Sequence, residues 1–311
     1  MTTPGKTRLS SDSEEDAVID TTQKSACTPK TGKVRCISRT GFHEIAYRDW
    51  GSSRSKSNIV CVHGLTRNNR DFDNLAQRLS HLHRVVCPDL VGRGESDWLN
   101  DPTDYNLFQY NIDLTVLLAR MNIDDHTWIG SSLGGLMGIS LAGIERSPIK
   151  RLIVNDIGPN VPFSAISRVT NYAGVVTEFE TLKKVEHHLR SILAPFGPMT
   201  DRDWAKMART SSFKSGSTYL LRSDPEIMQN FRRYWMFSHF SLWKQWERIK
   251  CPVLILRGTE SDFLPNSLLD RMLDRQSRAE AIEFDGVGHT PTLNAAEQID
   301  PICEWLDRTT F

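Results

Sequence analysis

Short apolar runs of strand length alternate along this chain with stretches of helical periodicity, and that alternation constrains the fold most strongly. The runs are SNIVCVHG, RVVCPDLVG, HTWIGSS, IKRLIVNDIG, CPVLILRG and AEAIEFDG. Several are continuously apolar, as expected for strands covered on both faces of a parallel sheet. The intervening segments DFDNLAQRLSHL and LFQYNIDLTVLLARM place apolar residues on one helical face. The sequence therefore predicts an α/β fold with a mostly parallel central sheet and crossover helices.

The alternation stops between residues 159 and 247, where the chain becomes helix-like and rich in aromatic residues. A strand pattern resumes at CPVLILRG. An insertion without strands of its own, between two strands of one sheet, is typical of a cap over the carboxyl ends of the strands. We therefore predict a helical cap at 159–247 and a core at 36–158 and 248–311. Most cap aromatics should form the cap's own core, and a minority should face the cavity.

Composition excludes several classes of function. The 38 basic and 38 acidic residues balance, so the chain lacks the electrostatic footprint of a nucleic-acid-binding protein. No apolar run approaches the roughly 20 residues of a membrane span. Residues 1–35 are dominated by polar and charged side chains and lack the apolar segment of a secretory signal, so we expect a disordered tail. The six cysteines show no zinc-like spacing, which favours a reduced, cytoplasmic protein without a metal site.

The stretch Gly130-Ser-Ser-Leu-Gly134 follows an apolar run and precedes a helix-forming segment. It fits the G-x-S-x-G pattern only with Ser132 in the middle. In a sharp strand-to-helix turn, the residues two positions before and after the serine must approach each other closely, so both are glycine. The serine hydroxyl then projects above the sheet at a helix N-terminus, which favours developing negative charge.

Other candidate residues lie where predicted strands end, the edge at which open α/β sheets bind ligands. Asp262 comes a short loop after CPVLILRG, so its carboxylate could orient an imidazole, and Glu260 is less suitably placed. His289 follows AEAIEFDG and completes the order Ser, Asp, His. Asp156 ends another strand and remains an alternative to the preferred Asp262. His63 is interpreted as a structural residue of a turn.

The chain resembles the α/β-hydrolase superfamily through VHGL, PDLVGRGESD, GSSLGG, RGTESDFLP and GVGHTP, over about residues 40–308. The resemblance implies an α/β-hydrolase fold with the helical cap inserted between two strands. It also implies that Ser132 is the nucleophile, His289 the general base and acid, and Asp262 its orienting partner. The backbone amides of Leu65 and Leu133 would form an oxyanion hole. By the same likeness, the loop carrying Asp89, Arg93 and Asp97 braces the nucleophile's turn.

A serine nucleophile indicates acyl transfer without metal or cofactor and argues against the members of this superfamily that use an aspartate nucleophile. The expected activity is hydrolysis of a small or medium carboxylic ester through an acyl-enzyme. Two alternatives remain open. One is a carbon–carbon or enol-lactone hydrolase, which would need cationic cap residues such as Arg190, Arg232 or Arg233 for a substrate carboxylate. The other is a small-molecule receptor on the same fold, which would not turn over its ligand.

Overall fold

A computed structural model of the chain describes residues 28–172, 178–193, 196–197, 199–228, 231 and 240–309. The strands in these ranges are β1 (Lys30–Ser38), β2 (Gly41–Trp50), β3 (Asn58–Val62), β4 (Arg84–Pro88), β5 (His126–Ser131), β6 (Ile149–Asn155), β7 (Glu178–Phe179), β8 (Ser212–Ser215), β9 (Thr218–Leu221), β10 (Val253–Gly258) and β11 (Ala279–Phe284). The helices used below are α1 (Asp73–Leu79), α2 (Leu107–Arg120), α3 (Leu133–Ala142), α4 (Phe163–Tyr172), α5 (Leu182–Leu193), α6 (Asp201–Ser211), α7 (Trp243–Arg248), α8 (Asn266–Arg275) and α9 (Ala296–Arg308).

Eight strands form the central sheet in the order β1-β2-β4-β3-β5-β6-β10-β11. The pairs from β4 to β11 are parallel, whereas β1 and β2 join antiparallel at one edge. Each of the predicted apolar runs contains one of the parallel strands, so the predicted α/β fold with a mostly parallel sheet is confirmed. The antiparallel edge strands were not anticipated, and β1 begins at Lys30, inside the segment expected to be tail. Residues 1–27 lie outside the described ranges.

Helices cover both faces of the sheet, which explains the continuous apolar character of the inner strands. On one face, side chains of α2, α3, α7 and α8 pack with Val60, Val154 and Ile255. On the other face, α1 and α9 pack with Ile59, Ile153 and other strand residues whose side chains lie on that face of the sheet. Burying each such aliphatic side chain stabilises the fold by about 1.5–3 kcal/mol. No helix in the described ranges is long and apolar enough to cross a membrane.

The cap contains strands as well as helices, which corrects the prediction of a purely helical insertion. Strands β7, β9 and β8 form a small antiparallel sheet, and β8 turns into β9 through Gly216 at φ +58°. The cap has its own apolar cluster, in which Phe179 and Trp204 are buried, as expected for most of its aromatics. Tyr234, Trp235 and Phe237 lie outside the described residues.

The return from cap to core comes earlier than residue 248. The side chain of Trp246 in α7 is fully buried in the core cluster, and its indole N–H donates to the carbonyl of Met272 at 3.0 Å. Helix α7 therefore belongs to the core layer rather than to the cap.

Candidate active site

Ser132 lies at the sharp turn between β5 and α3. Its backbone has φ +50° and ψ −111°, a conformation that side-chain-bearing residues rarely adopt. A Cβ added to Gly130 would lie 2.2 Å from the carbonyl oxygen of Gly134, and one added to Gly134 would lie 2.1 Å from that of Val62. The two glycines flanking the serine are therefore required by backbone contacts, as the sequence predicts.

Replacing Gly134 with alanine should test this steric requirement. We expect Gly134→Ala to lower the free energy of unfolding by about 3 kcal/mol or more, because the new methyl group meets the immobile backbone of β3. The matched control is Gly216→Ala, because no atom lies within 4 Å of the Cβ that it adds. Its only expected cost is the strain of a side chain at positive φ, about 1 kcal/mol. Urea unfolding measures both. Equal losses in the two variants would contradict the interpretation.

A hydrogen-bonded chain joins Ser132, His289 and Asp156. The His289 Nε2 atom lies 3.0 Å from the Ser132 hydroxyl oxygen, and Nδ1 lies 2.8 Å from Oδ2 of Asp156. Because Asp156 is an acceptor, Nδ1 carries the proton and Nε2 is left to accept from the serine hydroxyl. Asp156 is completely buried and His289 nearly so. The geometry is that of a nucleophile, a base and an orienting carboxylate.

The structure does not bring Asp262 to His289, so the preference for Asp262 was wrong in its geometry. The Asp262 carboxylate instead makes a two-pronged ion pair with Arg168 of the cap helix α4, at 2.7 and 2.9 Å. Partial burial raises the pKa of Asp262, but the hydrogen bonds and charge of Arg168 outweigh it, and the pKa falls below its ordinary value. Asp156, the alternative, occupies the place next to the imidazole.

Asp156 is held by its surroundings as well as by His289. It follows β6 with φ +59°, and its Oδ1 accepts from the backbone N–H of Gly258 at 3.1 Å. Its Oδ2 also accepts from the Ser261 hydroxyl at 2.5 Å. These donors stabilise the ionised carboxylate that must balance an imidazolium.

Ser261 is a residue that sequence reasoning missed. Its hydroxyl oxygen accepts from the backbone N–H groups of Phe263 and Leu264 at 3.2 Å while its proton goes to Asp156. The ring of Phe263 stacks on His289, with centroids 3.7 Å apart and an angle of 11° between the planes. The loop after β10 therefore contacts both the carboxylate and the imidazole, although its own aspartate faces the cap.

Of the two residues whose backbone amides are expected at the oxyanion hole, Leu133 directly follows Ser132, and Leu65 lines the same cleft as Ser132. Leu133 begins α3, and first-turn amides of a helix have no acceptor inside it. The turn at 64–65 packs against the serine, since a Cβ on Gly64 would lie 3.6 Å from that of Ser132. The Arg93 guanidinium donates to the Leu65 carbonyl at 2.8 Å and fixes the orientation of this turn.

His63 and Asp89 support the turn from below. Burial lowers the pKa of His63 to about 3, so the ring is neutral. Its Nδ1–H faces the Gly64 carbonyl at 2.7 Å, and Nε2 accepts from the Leu90 N–H at 3.0 Å. Burial also raises the pKa of Asp89 to about 7, although backbone N–H groups donate to both its oxygens. His63 is thus a structural residue, as the sequence indicates.

A largely apolar cleft of about 1070 Å³, including the part open to solvent, lies over Ser132 and His289. Cap and core both contribute to its walls, and the cap residues include Ile166, Leu193, Phe196, Met207 and Phe231. The one arginine in the described lining, Arg67, is neutralised by a two-pronged ion pair with Asp71 at 2.6 and 2.9 Å. The site therefore suits a mainly uncharged, apolar acyl group.

Three buried side chains elsewhere carry atoms that metals bind. The ligand atoms of Cys36, His43 and Asp113 lie within 4.8 Å of one another. His43 Nε2 and the Gln109 amide are hydrogen-bonded to the Asp113 carboxylate at 3.0 and 2.7 Å. These residues lie on β1, β2 and α2, which contribute nothing to the cleft over Ser132.

Comparison with known proteins agrees with this architecture. Residues 59–300 match the profile of the alpha/beta hydrolase family. The chain is 38% identical over 282 residues to the 3-hydroxybutyrate-oligomer hydrolase of Cupriavidus necator, covering 88% of this chain and 96% of that one. A putative hydrolase from Rickettsia typhi superposes with a TM-score of 0.84 and 29% identity, covering 91% of this chain and 100% of that one. An alpha/beta hydrolase from Novosphingobium aromaticivorans superposes with a TM-score of 0.79 and 31% sequence identity, covering 89% of this chain and 98% of that one.

The fold and the serine at its sharp turn define a hydrolytic enzyme. The chain belongs to the alpha/beta hydrolase family.

Proposed function

We propose that the protein is a serine esterase that cleaves short oligomers of 3-hydroxybutyrate, with Ser132, His289 and Asp156 as its catalytic residues. The observation that carries the chemistry is the chain of hydrogen bonds from Ser132 through His289 to Asp156. The substrate class is supported by the 38% identity to the 3-hydroxybutyrate-oligomer hydrolase over nearly its whole length. The units of such an oligomer are small and aliphatic and are joined by ester bonds, which suits an apolar cleft over a nucleophilic serine.

The reaction follows from the positions of these groups. Ser132 Oγ attacks the ester carbonyl while His289 Nε2 takes its proton, and Asp156 stabilises the resulting imidazolium. The negative oxygen of the tetrahedral intermediate is bound by the amides of Leu65 and Leu133. Collapse expels the alcohol, which takes its proton from His289. A water molecule, deprotonated by His289, then attacks the acyl-enzyme, and the carboxylic acid leaves as Ser132 regains its proton.

A carbon–carbon hydrolase is less well supported by the described residues. Of the cap arginines considered for a substrate carboxylate, Arg190 is ion-paired with Glu186 and Asp201, at 2.7 Å each, and does not line the cleft. Arg232 and Arg233 lie outside the described ranges. The cytoplasmic location expected from the sequence remains a proposal, supported by the five cysteines within the described ranges, all of which are free.

Labelling with a fluorophosphonate tests the nucleophile. We expect intact mass spectrometry to show one adduct on the full chain and on Ser131→Ala, and none on Ser132→Ala. Ser131 is a matched control because it is the neighbouring serine and its hydroxyl is hydrogen-bonded to the Asn155 side chain at 2.9 Å. Labelling of Ser132→Ala at the wild-type rate would refute the assignment.

Turnover of a 3-hydroxybutyrate dimer and trimer, compared with p-nitrophenyl esters of graded chain length, tests the substrate. We expect kcat/KM for the 3-hydroxybutyrate trimer to exceed kcat/KM for p-nitrophenyl butyrate. If the p-nitrophenyl esters are hydrolysed and the oligomers are not, the protein is still a serine esterase, but the proposed substrate class is wrong. Labelling without turnover of any ester would favour the receptor or carbon–carbon alternatives.

A further inference from the structure

A second cavity lies outside the cleft over Ser132, between the β1–β2 edge of the sheet and the cap helix α6. We call it the cationic groove. It encloses about 1190 Å³, including the part open to solvent. Its walls carry six basic residues and two acidic ones. The basic residues are Lys33, Arg48, Arg70, Lys206, Arg209 and Arg222.

This concentration of positive charge is local, because the whole chain has a formal net charge of zero. The two acidic wall residues are Asp89 and Glu95. Burial raises the pKa of Asp89 to about 7, so it is not fully ionised at neutral pH. The walls therefore carry more positive than negative charge, and concave surfaces of one sign attract ions of the other.

Ion pairs within the protein compensate five of these six cations in part, and two of the pairs are Lys33 with Asp97 at 3.7 Å and Arg222 with Glu95 at 3.6 Å. Asp73 is shared by Arg70 at 2.8 Å, Arg48 at 3.6 Å and Lys206 at 3.7 Å. The Nε atom of Arg48 is buried and has no hydrogen-bond partner. In the described part of the chain, Arg209 has neither an ion pair nor a hydrogen bond, and it is exposed at the groove. Guanidinium groups left in this way retain donors for an added oxyanion.

The cations come from both sides of the boundary between core and cap. Lys33, Arg48 and Arg70 belong to the core, whereas Lys206, Arg209 and Arg222 belong to the cap. Asp73 already contacts Arg48, Arg70 and Lys206, so an anion with several charged groups is best suited to engage the remaining cations on both sides at once. We propose that the cationic groove binds a small multivalent oxyanion, a polyphosphate or a polycarboxylate, which bridges cap and core. This site does not depend on the proposed esterase activity.

Binding to the full chain in low-salt buffer tests the proposal, with inorganic tripolyphosphate, citrate and acetate as probes. We expect saturable calorimetric binding of tripolyphosphate, citrate or both, and none of acetate. The comparison of the two multivalent probes separates the phosphate source from the carboxylate source. Added sodium chloride should weaken the binding, because the groove is open to solvent and dissolved ions screen its attraction for an anion. At physiological ionic strength the Debye length is about 8 Å.

The double variant Lys33→Gln/Arg209→Gln removes one cation from each side of the groove. We expect it to bind at least about tenfold more weakly, since each substitution removes a charge-assisted hydrogen-bond donor to the anion. Both residues are solvent-accessible, and neither contacts Ser132 or His289, so the fold and ester hydrolysis should persist. The matched control Arg54→Gln changes an exposed arginine outside the groove and should bind like wild type.

Hydrogen exchange gives an independent readout of bridging. The bound anion should slow amide exchange in α6 and in the β1–β2 edge together. Failure of both multivalent anions to bind saturably would overturn the proposal. Unchanged affinity in the double variant, equal loss in Arg54→Gln, or protection of only one side would overturn it as well.

Discussion

Replacing Asp156 with asparagine is expected to lower kcat for ester hydrolysis about 10⁴-fold, the loss seen when the carboxylate of a serine-protease triad is neutralised. The amide side chain nearly preserves the shape. However, it cannot balance an imidazolium, and its NH₂ group can donate to Nδ1 and so favour the wrong histidine tautomer. Asp156 accepts from His289, Ser261 and the Gly258 amide, so the substitution also disturbs two supporting hydrogen bonds. Steady-state kinetics on a p-nitrophenyl ester measure the effect.

The matched variant is Asp262→Asn, which makes the same chemical change at the aspartate that the sequence favoured, in the loop after the adjacent strand β10. We expect a loss of less than about tenfold, because the Asp262 carboxylate contacts Arg168 and not the imidazole, and half-exposed ion pairs contribute only modestly. Circular dichroism and thermal unfolding of both variants control for misfolding. A large loss in Asp262→Asn with near-normal Asp156→Asn would restore the original assignment.

Removal of the nucleophile should have the largest effect of any single change. We expect Ser132→Ala to lower kcat about 10⁶-fold, as loss of the nucleophile does in subtilisin. The residual rate, above that in water, would report the binding and oxyanion contributions that remain. Hydrolysis measured with a purified protein free of contaminating esterase is the required assay.

The same variant should keep its fold and its affinity for substrate. The serine hydroxyl is hydrogen-bonded to His289 at the edge of the cleft, so removing the hydroxyl leaves the apolar walls intact. The reaction product, or an ester that the wild type hydrolyses slowly, should therefore bind to Ser132→Ala with unchanged affinity. Retention of more than about a hundredth of wild-type kcat would mean that another group attacks the ester.

The elements with strong local signals could be predicted from the sequence. The parallel strands were visible because both of their faces are apolar, and the turn at Ser132 was visible because two glycines are sterically required. Strand β1 was assigned to the tail over residues 30–35 because it is a polar edge strand in which only Val34 and Cys36 are buried. Strands β8 and β9 are only four residues long and mostly exposed or half-buried, so they left little apolar pattern.

The choice between two carboxylates could not be made from the sequence alone. Asp156 and Asp262 follow the adjacent parallel strands β6 and β10, so both lie near the same edge. Which one reaches His289 depends on the left-handed backbone of Asp156, at φ +59°, and on the partner that Asp262 finds in the cap. Neither of these is a local property of the motif. Pairing of Arg168 with Asp262 depends on how the cap folds back over the core.

The position of the acid on β6 changes what the loop after β10 can do. Because the orienting carboxylate follows β6 and not β10, the loop from Ser261 to Phe263 connects the cap to the base: Asp262 contacts α4, and Phe263 contacts the imidazole. The cap is thereby linked to the proton-transfer group through one stacked ring. A change in the cap helix α4 is therefore felt first at the base and its carboxylate, through the single loop that follows β10.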